Sequence, residues 1–494
     1  MILWNLQILQ NIQNIQNIQS TTKNMKTPSI EDIIGGEKSC QHCVTMPANA
    51  FQEGVCASET IAVALASSFA VEIPKLPFPL LLDRPIVLSS GQRLSVHPET
   101  VIHMMDGCGG IMVRNANPAD GRIHPLPAQR LDHDMLVEGG IWEESPYRVS
   151  PNDPNAVIQS FGSSNRRFID STGREIDPTG AVGDGGHLLG VFFFCNARNL
   201  TIRNVTIRRG DFYGILIAGC DHFIIEDIDF DHHKKDGVHI NGPSSYGVVR
   251  RMKGKTGDDF VALNAWDWGL SAVTFGPIHH IFVQDIDCTG DEIRLLPGRK
   301  LFEGGAALDC DIHDCHFSHI RNAYCFKLYQ QPNCHNDLTG WNDKSPIPGV
   351  LQDITFEDVE LNAITAVGLG EVKVTALFEI CADCDRISFN DIRIALPLSD
   401  FRAAGMRVVE VGPKSSTWKR GFTDPKMWAE LFDPELICTA KNLSFKNITF
   451  AGQPCSDEQA IVGCHRLQPN PDYPNTTPKG GTGYGVIENY SIET

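Results

Sequence analysis

Three polar corners in the middle of the chain carry five acids. Asp236, Asp258, Asp259, Asp291 and Glu292 stand where KKDGVHI, TGDDFVALN and TGDEIRLL pass into short apolar runs. In those runs Val, Ile, Leu or Phe alternates with other residues, the period-two pattern of a strand with one buried face. Aligning the corners puts Tyr213, Asp236, Asp259, Asp291 and Asn322 at one position, at intervals of 23, 23, 32 and 31 residues. Strands stacked about 4.8 Å apart would gather these residues into a column. Ionised carboxylates so close repel, so at least one should keep its proton near neutrality. A protonated acid beside ionised ones is the equipment of glycoside hydrolysis.

Other residue types in the same stretch suit a sugar. Arg294 points outward if Ile293 and Leu295 point inward, and Lys327 ends the strand that follows Asn322. Two fixed cations facing the acids could hold an anionic sugar, the guanidinium gripping its carboxylate with two parallel bonds. Trp266 and Trp268 follow the Asp258 and Asp259 run directly, where exposed indoles would stack on sugar faces. Each feature also has a plain reading: a turn ladder for the acids, a structural ion pair for the cations, a loop anchor for the tryptophans.

The elements that must position these residues are short and repetitive. NLTIRNVTI, DHFIIEDIDF, HIFVQDIDC, LDCDIHDCHF, LQDITFEDVEL, DRISFNDIRI and KNLSFKNITF each turn at a polar residue. Asn204, Asp227, Asp285, Asp314, Asp358, Asp391, Asn447 and, near the end, Asn489 form this series, which can satisfy backbone donors at successive bends. No long helix interrupts the strands, which excludes alternating βαβ units. The spacing predicts an all-β fold, a parallel β-helix that grows as one domain over 44–494. Residues 58–72 are expected to form a capping helix with Ser58 as N-cap, and 150–187 a long surface excursion. Residues 1–43 include low-complexity NIQ triplets and read as a disordered extension.

Composition narrows the partners. Lys and Arg number 42 against 60 Asp and Glu, a formal charge of −18 that argues against nucleic acid and anionic membranes. No apolar run is long enough to span a bilayer. The N-terminus lacks the features of a secretory signal, so a cytoplasmic location with 16 reduced cysteines is expected. Cys40 with Cys43 and Cys381 with Cys384 form CxxC pairs too far apart in sequence for a zinc ribbon, and neither metal nor cofactor is expected.

Asp236-Gly237, Gly257-Asp258-Asp259 and Lys327 are similar in order and spacing to the motifs of glycoside hydrolase family 28, the polygalacturonase family, and VEGGIW near 137 resembles its early coil. The resemblance implies the right-handed parallel β-helix of the pectin-lyase-like superfamily. It implies that Asp258 protonates the glycosidic oxygen, that Asp236 and Asp259 activate water for inversion, and that Lys327 binds the substrate carboxylate. Two motifs depart from the pattern. The family's Gly-His-Gly reads Gly290-Asp291-Glu292, and its Arg-x-Lys reads Cys325-Phe326-Lys327. Arg294 could offset the second, and His239, His279 or His280 the first. The resulting expectation is an inverting glycosidase acting on uronic-acid-containing, pectin-like oligosaccharides. Inserts at 264–280 and 329–350 would close one end of its cleft for exo action. A calcium-dependent lyase and a non-catalytic carbohydrate-binding β-helix are the alternatives.

Overall fold

The computed structural model describes residues 43–105, 111–116, 131–144, 190–210, 213–265, 274, 276–289, 291–297, 310–329, 349–362, 375–412, 436–467 and 483–494, together with the short strand pairs at 168–169 with 175–176 and 301–303 with 306–308. The tail at 1–42 and nearly all of the 150–187 excursion lie outside them.

Between Gly190 and Val411, apart from the strand pair at 301–303 and 306–308, short and long strands alternate along the chain and lie in different sheets, while a few short strands nearer the two ends, such as Leu80–Leu82, join the sheet of the long strands. Eleven short strands, from Ile86–Leu88 to Val462–Cys464, form one sheet in chain order. The long strands, among them Ala197–Arg208, Asp221–Asp231, Ser244–Gly254, Ile278–Asp287, Ile312–Ala323, Val350–Leu361 and Asp383–Ile394, form the other. The strands named pair in parallel with their successors, and so do the short ones. One short and one long strand therefore make a coil, and the coils stack into the expected parallel β-helix.

Two columns of left-handed residues bend the long strands. One holds Asn204, Asp227, Arg251, Asp285, His319, Asp358, Asp391 and Asn447, with φ between 51° and 58°. The other holds Asp134, Asn199, His222, Tyr246, His280, Asp314, Asp353 and Arg386, with φ between 52° and 58°. Asn and Asp tolerate this conformation best, which is why the bends read as a polar series in the sequence. Asp314 thus belongs to the second column, and its assigned place is taken by His319; Asn489 pairs with Asn442 rather than extending the series. Arg251 also belongs to the first column. In both columns most bend residues follow a polar residue and precede an apolar one, so pattern alone does not separate them. Many of the bend side chains bond across coils, as in Asn447 Nδ2 to Asp391 Oδ1 at 2.6 Å and Arg251 Nε to Asp227 Oδ1 at 2.8 Å.

The interior is a continuous apolar rod. Phe317, Phe356, Phe389 and Phe445 stack coil upon coil with centroids 5.1, 5.4 and 5.0 Å apart. Such ring pairs add about 0.5–1.5 kcal/mol each beyond the area they bury. Cys220, Cys288, Cys315 and Cys384 are buried in this rod, their thiol pKa values raised by burial, and serve as small core residues. Cys40 of the first CxxC lies outside the described residues.

A helix covers the first coil, with a correction. It spans Ser58–Ser67 and buries Ile61 and Leu65, and Ala57 is its N-cap. Ser58 instead accepts the Asp83 N–H at 3.1 Å. The segment after it becomes the strand Ala70–Ile73 because it pairs with Arg93–Met104, a tertiary contact that local propensity does not report.

Candidate functional site

Five consecutive short strands build the site: Tyr213–Ala218, Val238–Asn241, Asp259–Asn264, Glu292–Leu296 and Cys325–Tyr329. The Gly214 N–H bonds to the Asp236 carbonyl at 2.8 Å, and the Gly237 N–H to the Asp259 carbonyl at 2.9 Å. These bonds lock the first three corners in register as expected. A bulge between Asp259 and Val261 then sets Glu292, not Asp291, opposite Asp259, and Cys325 opposite Glu292. Asn322 ends up on the other sheet, where its amide bonds to Asp287 at 2.7 Å. The bulge explains the one-residue slip, since an extra residue in one strand leaves no mark in the alternation of its neighbour.

The motif glycines are there for stacking. A Cβ on Gly237 would stand 2.7 Å from the Phe260 carbonyl, and one on Gly257 would stand 2.3 Å from the Lys234 carbonyl. Only glycine lets the coils close directly beneath Asp236 and Asp258.

Asp236, Asp258 and Asp259 converge. One carboxylate oxygen of each lies within 4.8 Å of the others. Asp236 and Asp259 are buried, at 2% and 0% exposure, whereas Asp258 is partly open. Asp236 Oδ2 is 2.6 Å from His239 Nδ1. His239 Nε2 faces the amide nitrogens of Asn241 and Asn264 at 3.2 and 3.3 Å, which makes it an acceptor and leaves the ring proton on Nδ1, donated to Asp236. Tyr213 stacks on the same imidazole at 4.1 Å. Lys235 Nζ reaches Asp258 Oδ2 at 3.1 Å.

Burial decides where the proton resides. It pushes the Asp259 carboxyl well above the ordinary carboxylate range, with Glu292, Asp236 and Asp258 adding to the effect and Arg294 opposing it. Among the described residues, no N–H or hydroxyl donor is aligned on either Asp259 oxygen, and Arg294 Nε, 3.0 Å away, is not aligned for a hydrogen bond. A protonated Asp259 can itself donate, and the acceptor at hand is Glu292. Burial also raises Asp236, helped by the Asp258 charge and resisted by the His239 bond. Glu292 goes the other way. Its burial is outweighed by Lys327 and Arg294, which hold it well below the usual range.

Arg294 and Lys327 lie side by side in register on adjacent strands. The remaining sequence candidates separate from this group. Asp291 accepts the Thr256 N–H at 2.6 Å and the Thr256 hydroxyl at 3.0 Å, pinning the turn that leads into Asp258. His279 and His280 belong to the other sheet, where their ring nitrogens meet at 2.8 Å and His279 stacks on His313. Trp266 and Trp268 lie outside the described residues. Sequence reasoning missed Lys235, Tyr324, Asn241 and Asn264. The two asparagines had a signal, standing at the same strand end 23 residues apart in VHIN and VALN.

Burial raises the Asp291 pKa from 3.8 to about 6. Its folded value exceeds its unfolded one, so its contribution to stability is complete at low pH and lost as pH rises through the folded pKa. The amide introduced by Asp291→Asn keeps an oxygen for Thr256 but cannot ionise. The melting temperature of Asp291→Asn relative to wild type should therefore climb from about pH 4 to about pH 7, as differential scanning fluorimetry would show; a flat difference would place the ionisation elsewhere.

A groove of about 990 Å³ lies elsewhere, along the bend column, lined by Asn204, Asp227, Arg251 and Asp285. It has no cluster of buried acids. The segments at 266–273 and 330–348, which flank the acid column in sequence, lie outside the described residues.

No protein-family model matches the chain, and no curated protein matches its sequence. Among solved structures, it is similar to a hyperthermoactive exopolygalacturonase from Thermotoga maritima, with 11% identity over 92% of this chain and 93% of that one and a TM-score of 0.48. A family 28 exopolygalacturonase from Yersinia enterocolitica gives 12% identity over 83% and 74%, with a TM-score of 0.45. A mutant tailspike protein of E. coli bacteriophage HK620, in complex with a pentasaccharide, gives 12% over 84% and 64%, with a TM-score of 0.47. Function has to be read from the side chains.

Proposed function

We propose that the protein is a glycoside hydrolase whose reacting groups are Asp236, Asp258 and Asp259. The observation that carries this reading is the convergence of the three carboxyl groups within 4.8 Å, graded from fully buried to partly open. Such a group cannot be fully ionised, so it holds a proton at neutral pH. Asp258 is the member a glycosidic oxygen can reach, and it delivers the proton to the leaving oxygen as the C–O bond breaks. Water adds to the anomeric carbon and gives its proton to Asp236, whose carboxylate form the His239 Nδ1–H stabilises. Atoms balance as one water consumed and two hydroxyl ends formed.

Inversion is part of the proposal. A typical inverting pair stands roughly 6.5–9.5 Å apart to admit water between the carboxyl groups. Here the water has to sit beside the three acids rather than between two of them. NMR of the first-formed anomer tests this step. Release of single sugars from chain ends, rather than internal cleavage, tests exo action.

The same three acids are the one group among the described residues with its ligand atoms close enough to hold a metal ion, which keeps a calcium-dependent lyase as the competing reading. Arg294, at 3.0 Å from Asp259, already supplies positive charge there. Incubating wild type with a panel of acidic and neutral oligosaccharides, with and without chelator, separates the two. Reducing ends should form at an unchanged rate in chelator, with no absorbance from unsaturated product. Unsaturated product that disappears with chelator would move the acids to a metal site and the reaction to elimination.

A further inference from the structure

Glu292 fills the place where a uronate carboxylate would be bound. Its Oε1 lies 3.3 Å from Arg294 Nη2, and its Oε2 pairs with Lys327 Nζ and accepts the Tyr324 hydroxyl. Arg294 and Lys327 are 13% and 12% exposed, and Glu292 is nearly enclosed between them. The two cations that the sequence marks as an anion seat are thus already holding a carboxylate from the chain itself. A further cation beside the acids, Lys235, is paired with Asp258. Arg294, Lys327 and Lys235 thus each already have an acidic partner.

We infer that the sugar bound against Arg294 and Lys327 is neutral, a hexose or deoxyhexose rather than a hexuronic acid, and that Glu292 determines this specificity. The inference rests on the hydrolase reading. A uronate entering this seat would have to displace a buried carboxylate from two cations, or lie against it and against Asp258 with like charges facing. A neutral ring meets neither obstacle. Its hydroxyls can donate to Glu292 and accept from the remaining N–H groups of Arg294 and Lys327. The net charge of −18 works in the same direction, by repelling polyanions before contact.

The test is a set of matched nitrophenyl glycosides, each hexoside beside the hexuronide that differs only at C6, in both anomers, with wild-type protein. The neutral member of the cleaved pair should have the higher kcat/KM by about tenfold or more, the discrimination that like-charge juxtaposition provides. Equal or better turnover of the uronide would overturn the inference and leave the hydrolase reading standing. Glu292→Ala opens the seat and should shift the ratio toward the uronide by about tenfold. Should that variant not fold, calorimetric titration of wild type with galactose and with galacturonate decides the same point. Galacturonate binding as tightly as galactose would overturn the proposal. Cleavage of no glycoside of either charge would instead overturn the hydrolase reading itself.

Discussion

Replacing Asp258 by Asn is expected to lower the hydrolytic rate by about 10²–10⁴-fold, the range general acids contribute, while the fold survives. Asp258 is partly open and its described side-chain partner is Lys235, so the amide costs little stability. Asp259→Asn should also lose activity, but for another reason. That change removes the buried site where the cluster keeps its proton, and with it the alkaline limb of the pH profile should move to lower pH, because burial and three neighbouring acids raise this carboxyl. Measuring kcat against pH for the two variants tells these roles apart. An Asp258→Asn variant with wild-type kcat would remove it from the reaction, whatever its exposure.

Arg294→Ala is expected to be the most destabilising single change at the site, by about 3–5 kcal/mol, the cost of leaving a buried charge without its partner. The guanidinium faces Asp259 at 3.0 Å and Glu292 at 3.3 Å, and the surrounding acids raise its own pKa well above normal despite burial. The loss should grow with pH. Without the cation the Asp259 carboxyl rises further, so the variant is least penalised where that acid is neutral and most penalised where it must ionise. Urea unfolding at about pH 5 and about pH 8 measures both. Adding Asp259→Asn to Arg294→Ala should recover part of the loss. A cost under about 1 kcal/mol, the level of an exposed pair, would mean that water already compensates these acids.

The architecture was legible in the sequence because it is written many times. Each coil repeats the same alternation and the same polar bend, so an error in one coil is corrected by its neighbours, and the parallel β-helix follows from the repeat alone. The convergence of Asp236, Asp258 and Asp259 was legible for the same reason, since equal intervals of 23 residues carry one corner onto the next. Register failed where repetition failed. A single bulge after Asp259 exchanged Asp291 for Glu292, and no local pattern marks it. The two bend columns were merged because both use polar residues in left-handed backbone. Sequence also identified Arg294 and Lys327 as neighbours of the acids, but not what they hold. Whether a cation awaits a ligand or is already paired depends on side-chain distances across stacked coils, and only the tertiary structure decided that Glu292 lies between them.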